Sequence, residues 1–224
     1  VAASAVLERT RARAAARSSA TRERVLARHR NEYRKRCDAY FAAFYRRVAP
    51  TCAAVAGEVM VKADGLEESI YAKLGRYSWD QEARILSTST APVLLATMGD
   101  AYGLVSDEIG AAVSFDLNAR PIQSVLSGVG TRIVQVEDVS RQRIARMMED
   151  GITKGLSVEQ IVRGVPPGTS SVRGPIPAFP GVRGLVDSWR STGTPGFAGS
   201  GTGRSSRSYL IALTETGNAY NLAA

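Results

Sequence analysis

The chain of 224 residues has one histidine, His29, and two cysteines, Cys37 and Cys52. A single histidine rules out a histidine-built metal cluster and argues against a Ser-His-Asp relay. Two cysteines are too few for a disulfide framework. They flank Pro50, so a bridge across a helical turn-back stays open beside the simpler reading of two buried reduced thiols. Aromatic residues make up 7% of the chain, and long apolar runs are missing. The stretch from Ala91 to Met98 is too short for a membrane span and is interrupted by Pro92 and Thr97. Arg9, Arg11 and Arg13 break any apolar core of a secretory leader, which predicts synthesis in the cytoplasm. Val1 in place of Met points to a processed or trimmed start.

Acidic residues are scarce at one end. Residues 1–50 hold 13 Arg/Lys and 4 Asp/Glu, a net of +9, whereas the whole chain is +8. Residues 51–224 therefore carry 16 basic and 17 acidic side chains and are close to neutral. A basic arm on a balanced body calls for an anionic partner, and nucleic acid is the commonest. Glycine and proline are absent from Ala2 to Val48. The Ala, Arg and Glu that fill this stretch favour one long helix, about 70 Å at ~1.5 Å per residue. Tyr33, Cys37, Tyr40, Phe41, Phe44, Tyr45 and Val48 recur at three- and four-residue steps and predict its packing stripe. Between Leu7 and Val25 the only apolar side chains are alanines, so that part reads as a solvated arm or one ordered by a partner.

Pro50 is expected to end this helix. A second helical region then follows, broken near Gly57, Gly65 and Gly75. Trp79 to Ala112 reads as a helical pair with Pro92 and Gly99 as kinks or boundaries. Phe115 to Val129 reads as a short helix or turn, and Arg132-Ile133-Val134-Gln135-Val136 as a short strand. Asp138 or Ser140 opens the next helix, with Ile144, Met147, Met148 and Ile152 on one face. Gly155 closes it in a left-handed conformation, and Ser157-Val158-Glu159-Gln160 forms a capping box for another helix. That helix buries Ile161 and Val162 and stops at Gly164. Residues 165–205, rich in Gly, Pro and Ser, read as a long loop rather than core. Helical composition resumes at Tyr209. The expected fold is mainly α: a basic long helix over 1–50, a helical region over 51–114, and a body over 115–224 with the insert 165–205.

Several ordered segments carry a likeness. They are Phe115-Asp116-Leu117, Arg132-Ile133-Val134, Val139 to Ile144, Gly155-Leu156-Ser157-Val158-Glu159-Gln160-Ile161, and Ile211 to Asn221. The series resembles the phage Mu F-like head morphogenesis family, the minor head proteins of tailed bacteriophages. That family shows a phenylalanine-led start, a "G-L-S-x-x-x-I" helix ending and a closing "A-x-T-E-T-x-x-A-Y-N" segment. Leu213 stands where an arginine is common, and the insert is longer and richer in proline than usual. The resemblance covers about half the chain, from Phe115 onward. It implies a virion protein of the head interior near the portal, with portal, major capsid or scaffold protein and packaged double-stranded DNA as partners. It implies no membrane in the mature head.

The candidate binding residues of the arm are Arg9, Arg11, Arg13, Arg17, Arg22, Arg24, Arg28, Arg30, Arg34, Lys35 and Arg36. Glu8, Glu23, Glu32 and Asp38 offer little i,i+4 neutralisation within the arm. Few aromatics lie among residues 1–32, which favours phosphate contacts over base stacking. Neutralising ~6–8 phosphates would give steeply salt-dependent affinity. Gly199 to Ser205 fails as a phosphate loop: Ala198 stands where a Walker glycine belongs, and Arg204 replaces the lysine. Adjacent carboxylates (Glu67/Glu68, Asp107/Glu108, Glu149/Asp150) read as solvated helix faces. Thr214, Asn218 and Asn221 align at four- and three-residue steps beside an apolar stripe of Leu210, Leu213 and Tyr220. Glu215 is placed to pair with Arg207 or Arg141 in a structural polar network. Gly155, Leu156, Ser157, Thr214, Glu215, Asn218 and Asn221 are thus structural motif residues. No catalytic residue, metal or cofactor is expected. The alternatives are a stand-alone basic DNA-binding protein and an infection-associated hydrolase.

Overall fold

The computed structural model describes residues 2–60, 66–109, 138–171, 174–190 and 207–223. Side chains are described from Ser18 onward, apart from those of 67, 109, 170, 171, 209, 222 and 223. The sequence readings over Phe115–Val129, Arg132–Val136 and Gly199–Ser205 lie outside these residues. The chain is mainly helical: α1 (Ala2–Val59), α2 (Leu66–Leu74), α3 (Trp79–Ile109), α4 (138–153), α5 (Val158–Arg163), α6 (Gly181–Asp187) and α7 (Arg207–Ala223). The described β structure lies at 170–175, where β1 (Ser170–Ser171) pairs antiparallel with β2 (Gly174–Pro175).

The predicted stripe of α1 forms the centre of the core. Tyr33, Cys37, Tyr40, Phe41, Phe44 and Val48 are buried, and Tyr45 packs against them half-buried. Pro50 does not end the helix, contrary to expectation. It sits inside α1, which continues to Val59 through Gly57. A helix-interior proline costs ~3 kcal/mol through its lost N–H and its clash with the carbonyl four residues back. Pro50 is exposed, so the freed Arg46 carbonyl has water at hand. On the other side Val48, Cys52, Val55, Ala56 and Val59 continue the buried stripe, and their burial outweighs the break. The same logic unites Trp79–Ile109 into one helix instead of a pair, with exposed Pro92 inside it.

Because α1 is continuous, the fifteen residues from Cys37 to Cys52 span about 22 Å at ~1.5 Å per residue. That distance excludes the bridge left open above. Both thiols are free and buried. Burial pushes Cys52 up to about 12 and pushes Cys37 up further, with the nearby charges of Asp38 and Glu215 adding to the effect.

Helices α1, α3 and α7 pack on one another, and α5 and α6 close on α1. Thr90, Thr97 and Thr216 are buried, and each hydroxyl donates to its own helix four residues back: Leu86 O at 2.8 Å, Val93 O at 2.7 Å and Ala212 O at 2.6 Å. Short, self-satisfied side chains of this kind let helices approach closely. An aromatic cluster fills the middle. Phe44 lies 6.2 Å from Tyr77, 6.0 Å from Trp79 and 6.2 Å from Trp189, and Phe41 lies 5.6 Å from Trp189.

The segment 165–205 is not wholly structureless. Val165 and Phe179 exchange backbone hydrogen bonds of 2.6 and 2.9 Å. Phe179, Val182, Val186 and Trp189 are buried in the main core. Apolar anchors are few here but large, which composition alone hides. The join of α5 to α6 depends on two glycines. Gly164 (φ +86°) and Gly181 (φ +62°) approach so closely that a Cβ on Gly164 would lie 2.5 Å from the Pro180 carbonyl oxygen. Gly155 also has positive φ, +68°, but open space beside it. Gly155→Ala should therefore cost only the left-handed penalty of about 1–2 kcal/mol. Gly164→Ala, meeting backbone atoms as well, should cost clearly more in urea unfolding. Equal losses would contradict the close-approach account.

Candidate interaction face

The cations of α1 divide between two sides of the helix. One set points at α3. Arg47 grips the buried Glu82 with both Nε (2.6 Å) and Nη2 (2.5 Å), and the Tyr77 hydroxyl donates to the same carboxylate at 2.5 Å. Arg22 and the Ser18 hydroxyl both bond Glu108. The Ser18 hydrogen bond first, and Arg22 with it, hold Glu108 below the usual carboxylate range. Arg36 donates to the Ser89 carbonyl at 2.7 Å, beside the proline break of α3, and pairs with Glu32 at 3.2 Å. His29 is buried, with Nε2 2.6 Å from an Asp100 oxygen that Arg28 also bonds. The lone histidine thus joins two helices.

The sequence offered only the arm's own four acids as neutralisers. The structure adds Glu82, Asp100 and Glu108 from α3. These pairs join residues far apart in the chain and show no helical spacing, so only the packing of α1 on α3 reveals them. The pairs at Arg22 and Arg28 are largely exposed and add little stability.

The remaining candidates are placed as follows. Arg30 lies 3.9 Å from Glu23, and Arg34 donates to Asn31 at 2.6 Å. Arg24 and Lys35 are exposed, with no hydrogen bond or ion pair among the described residues. Arg46, not singled out from the sequence, behaves in the same way. The side chains of Arg9, Arg11, Arg13 and Arg17 lie outside the described residues. Beside the cations runs an open groove of about 530 Å³, lined by Arg28, Lys35, Arg36, Pro92, Val93 and Asp100.

Among the motif residues, Gly155, Leu156 and Ser157 shape the α4–α5 turn. The Gly155 N–H donates to Ile152 O at 2.9 Å, and the N–H of buried Leu156 donates to Gly151 O at 3.0 Å. This is the two-bond left-handed ending of α4. Ser157 then caps α5 reciprocally with Gln160. In α7, Glu215 is buried, Asn218 is half-buried, and Thr214 and Asn221 are exposed. The expected apolar stripe needs correction. Leu210 and Leu213 are 52% and 37% exposed, and the buried face instead carries Ser208, Ala212, Glu215, Thr216, Ala219 and Tyr220. Of the expected stripe Tyr220 is buried, while Ser208, Ala212, Thr216 and Ala219 take inward positions where α7 packs against both α1 and α3.

Arg141 is committed elsewhere than Glu215. It lies over the Tyr71 ring at 3.9 Å and donates to the Tyr71 carbonyl at 2.9 and 2.5 Å, tying α4 to α2. Arg207 donates to Ser140 Oγ at 3.1 Å and stands 5.0 Å from the Trp189 ring. Burial, reinforced by Arg143, lowers the Arg207 guanidinium to about 10. Among the described residues, no group of three His, Cys, Asp or Glu is placed to hold a metal ion.

Glu82→Ala leaves Arg47 half-buried without its carboxylate and removes the Tyr77 acceptor. Loss of one partner from a fully buried pair costs about 3–5 kcal/mol; with Arg47 a third exposed to water, about 2 kcal/mol or more is expected here. Urea unfolding should show that loss, and a change below 1 kcal/mol would remove the pair from its central place. No family model, curated protein or solved structure matches the chain.

Proposed function

We propose that the chain is a structural minor head protein of a tailed phage, sited in the head interior near the portal and serving assembly and genome packaging or ejection. The observation that carries this reading is how the motif residues are used. Gly155, Leu156 and Ser157 end one helix and start the next, while Glu215 and Thr216 are buried on the inner face of the last helix. These are the tasks of a scaffold. These described residues of the motif series that resembles the head morphogenesis family are architectural and form no reacting constellation.

The charge distribution supports the same reading. A near-neutral helical body suits docking on portal, capsid or scaffold protein, while the outward cations of α1 suit the phosphates of packaged DNA. The test is made on purified heads of the phage that carries this gene. Mass spectrometry and cross-linking should find the chain in DNA-filled heads, joined to portal or to a neighbouring capsid subunit. Heads that assemble and fill without the chain, and never contain it, would reject the proposal.

A further inference from the structure

Arg24, Lys35 and Arg46 stand eleven residues apart on the exposed side of α1, each without an ion-pair partner among the described residues. Eleven residues complete three helical turns plus about 20°, so the three cations form a nearly straight row at ~16.5 Å intervals. Arg13 precedes Arg24 by the same interval in the sequence. Arg28 lies four residues from Arg24, with 66% of its side chain exposed even while bonded to Asp100. Arg22, Arg36 and Arg47 lie about 120–160° around the helix from Arg24, on the side that meets α3.

The spacing selects the occupant. Duplex DNA repeats every ~34–36 Å. A straight rod laid along it meets two phosphate backbones per repeat, one on average every ~17–18 Å. The row on α1 has that interval. Between its cations the exposed face carries Ala27, Asn31, Ala39 and the half-buried Ala42, with Glu32 at its edge neutralised by Arg36. Alanines let the helix lie close to a phosphate ridge, and the aromatic beside the row, Tyr45, is half-buried rather than held out to stack on a base. A protein partner would need apolar or aromatic anchors at the centre of its contact; along the row itself α1 presents no apolar side chain larger than alanine, and the larger ones, Tyr45 and Pro50, border the groove beside Arg46.

We propose that this face of α1 lies along double-stranded nucleic acid, with Arg24, Lys35 and Arg46 meeting successive phosphate ridges without reading sequence. The proposal rests on the reading that puts DNA beside this protein, and it names the contact. Only part of the basic arm binds: the outward row grips phosphate, while Arg36 and Arg47 are bonded to α3.

The experiment measures fluorescence anisotropy of a 30-base-pair duplex with the full chain across a sodium chloride series. A variant carrying Arg24→Gln, Lys35→Gln and Arg46→Gln should keep its Tm. At ~0.1 M salt it should bind at least roughly 10²-fold more weakly, with the slope of log K against log salt reduced by about 2.7 for three lost phosphates. Arg36→Gln should leave that slope within about 0.5 of the parent. A folded triple variant with unchanged slope and affinity would overturn the proposal. So would parent protein that binds polyglutamate as tightly as duplex, which would point to an acidic protein surface. The assay needs no phage, so its failure is separable from the absence of the chain from heads.

Discussion

A carboxylate buried between two helices sets the geometry of the molecule. Glu82 accepts from both nitrogens of the Arg47 fork and from the Tyr77 hydroxyl, beside the cluster of Phe44, Tyr77, Trp79 and Trp189. Apolar packing alone tolerates small rotations of one helix against another. A bidentate fork tolerates far less, because both N–H···O bonds must stay aligned. Arg47 therefore fixes the rotation of α1 on α3, and with it the direction that the described cations of the helix face. Arg22 and Arg36 then meet α3, and Arg24 and Lys35 turn outward. The hydroxyl of Tyr77, pushed up by burial and by its bond to Glu82, stays protonated and keeps donating.

What could be read from the sequence followed from range. The stripe from Tyr33 to Val48 was visible because it is a repeat within one helix. The left-handed glycine at 155 and the capping box at Ser157 were visible because each joins residues within five positions. Pro50 was misread because its local cost is real, and only the burial of Val55 and Val59 far along the helix outweighs it. The pairs Arg22–Glu108 and Arg47–Glu82 join residues 86 and 35 positions apart and leave no periodic trace. In α7 the apolar stripe of Leu210, Leu213 and Tyr220 holds only at Tyr220, because packing against two helices also brings Ser208, Ala212, Glu215, Thr216 and Ala219 inward. Of the structural motif set, the helix-ending Gly155 and Leu156 and the capping Ser157 could be read because their bonds are local. The basic set could be read only as a group, because its division into inner and outer faces depends on the rotation fixed by Glu82.

This division changes what the net charge means. The excess of +9 in the first fifty residues overstates the charge available to a partner, since α3 returns Glu82, Asp100 and Glu108 to the same helix. The outward charge is smaller but ordered, and an ordered row contributes position as well as attraction. The exposed leucines of α7, 210 and 213, lie on the side of that helix turned away from α1 and α3.

The uninterrupted course of α1 from Ala2 to Val59 has a consequence for how such a protein can vary in length. A single residue inserted between Leu26 and Phe44 would twist everything upstream by about 100° relative to the keyed end, whereas eleven inserted residues would restore the phase to within ~20°. Lengthening that keeps the outer charges facing outward is therefore limited to near-integral numbers of turns, on the order of seven, eleven or eighteen residues, and indels of other sizes would rotate those charges around the rod.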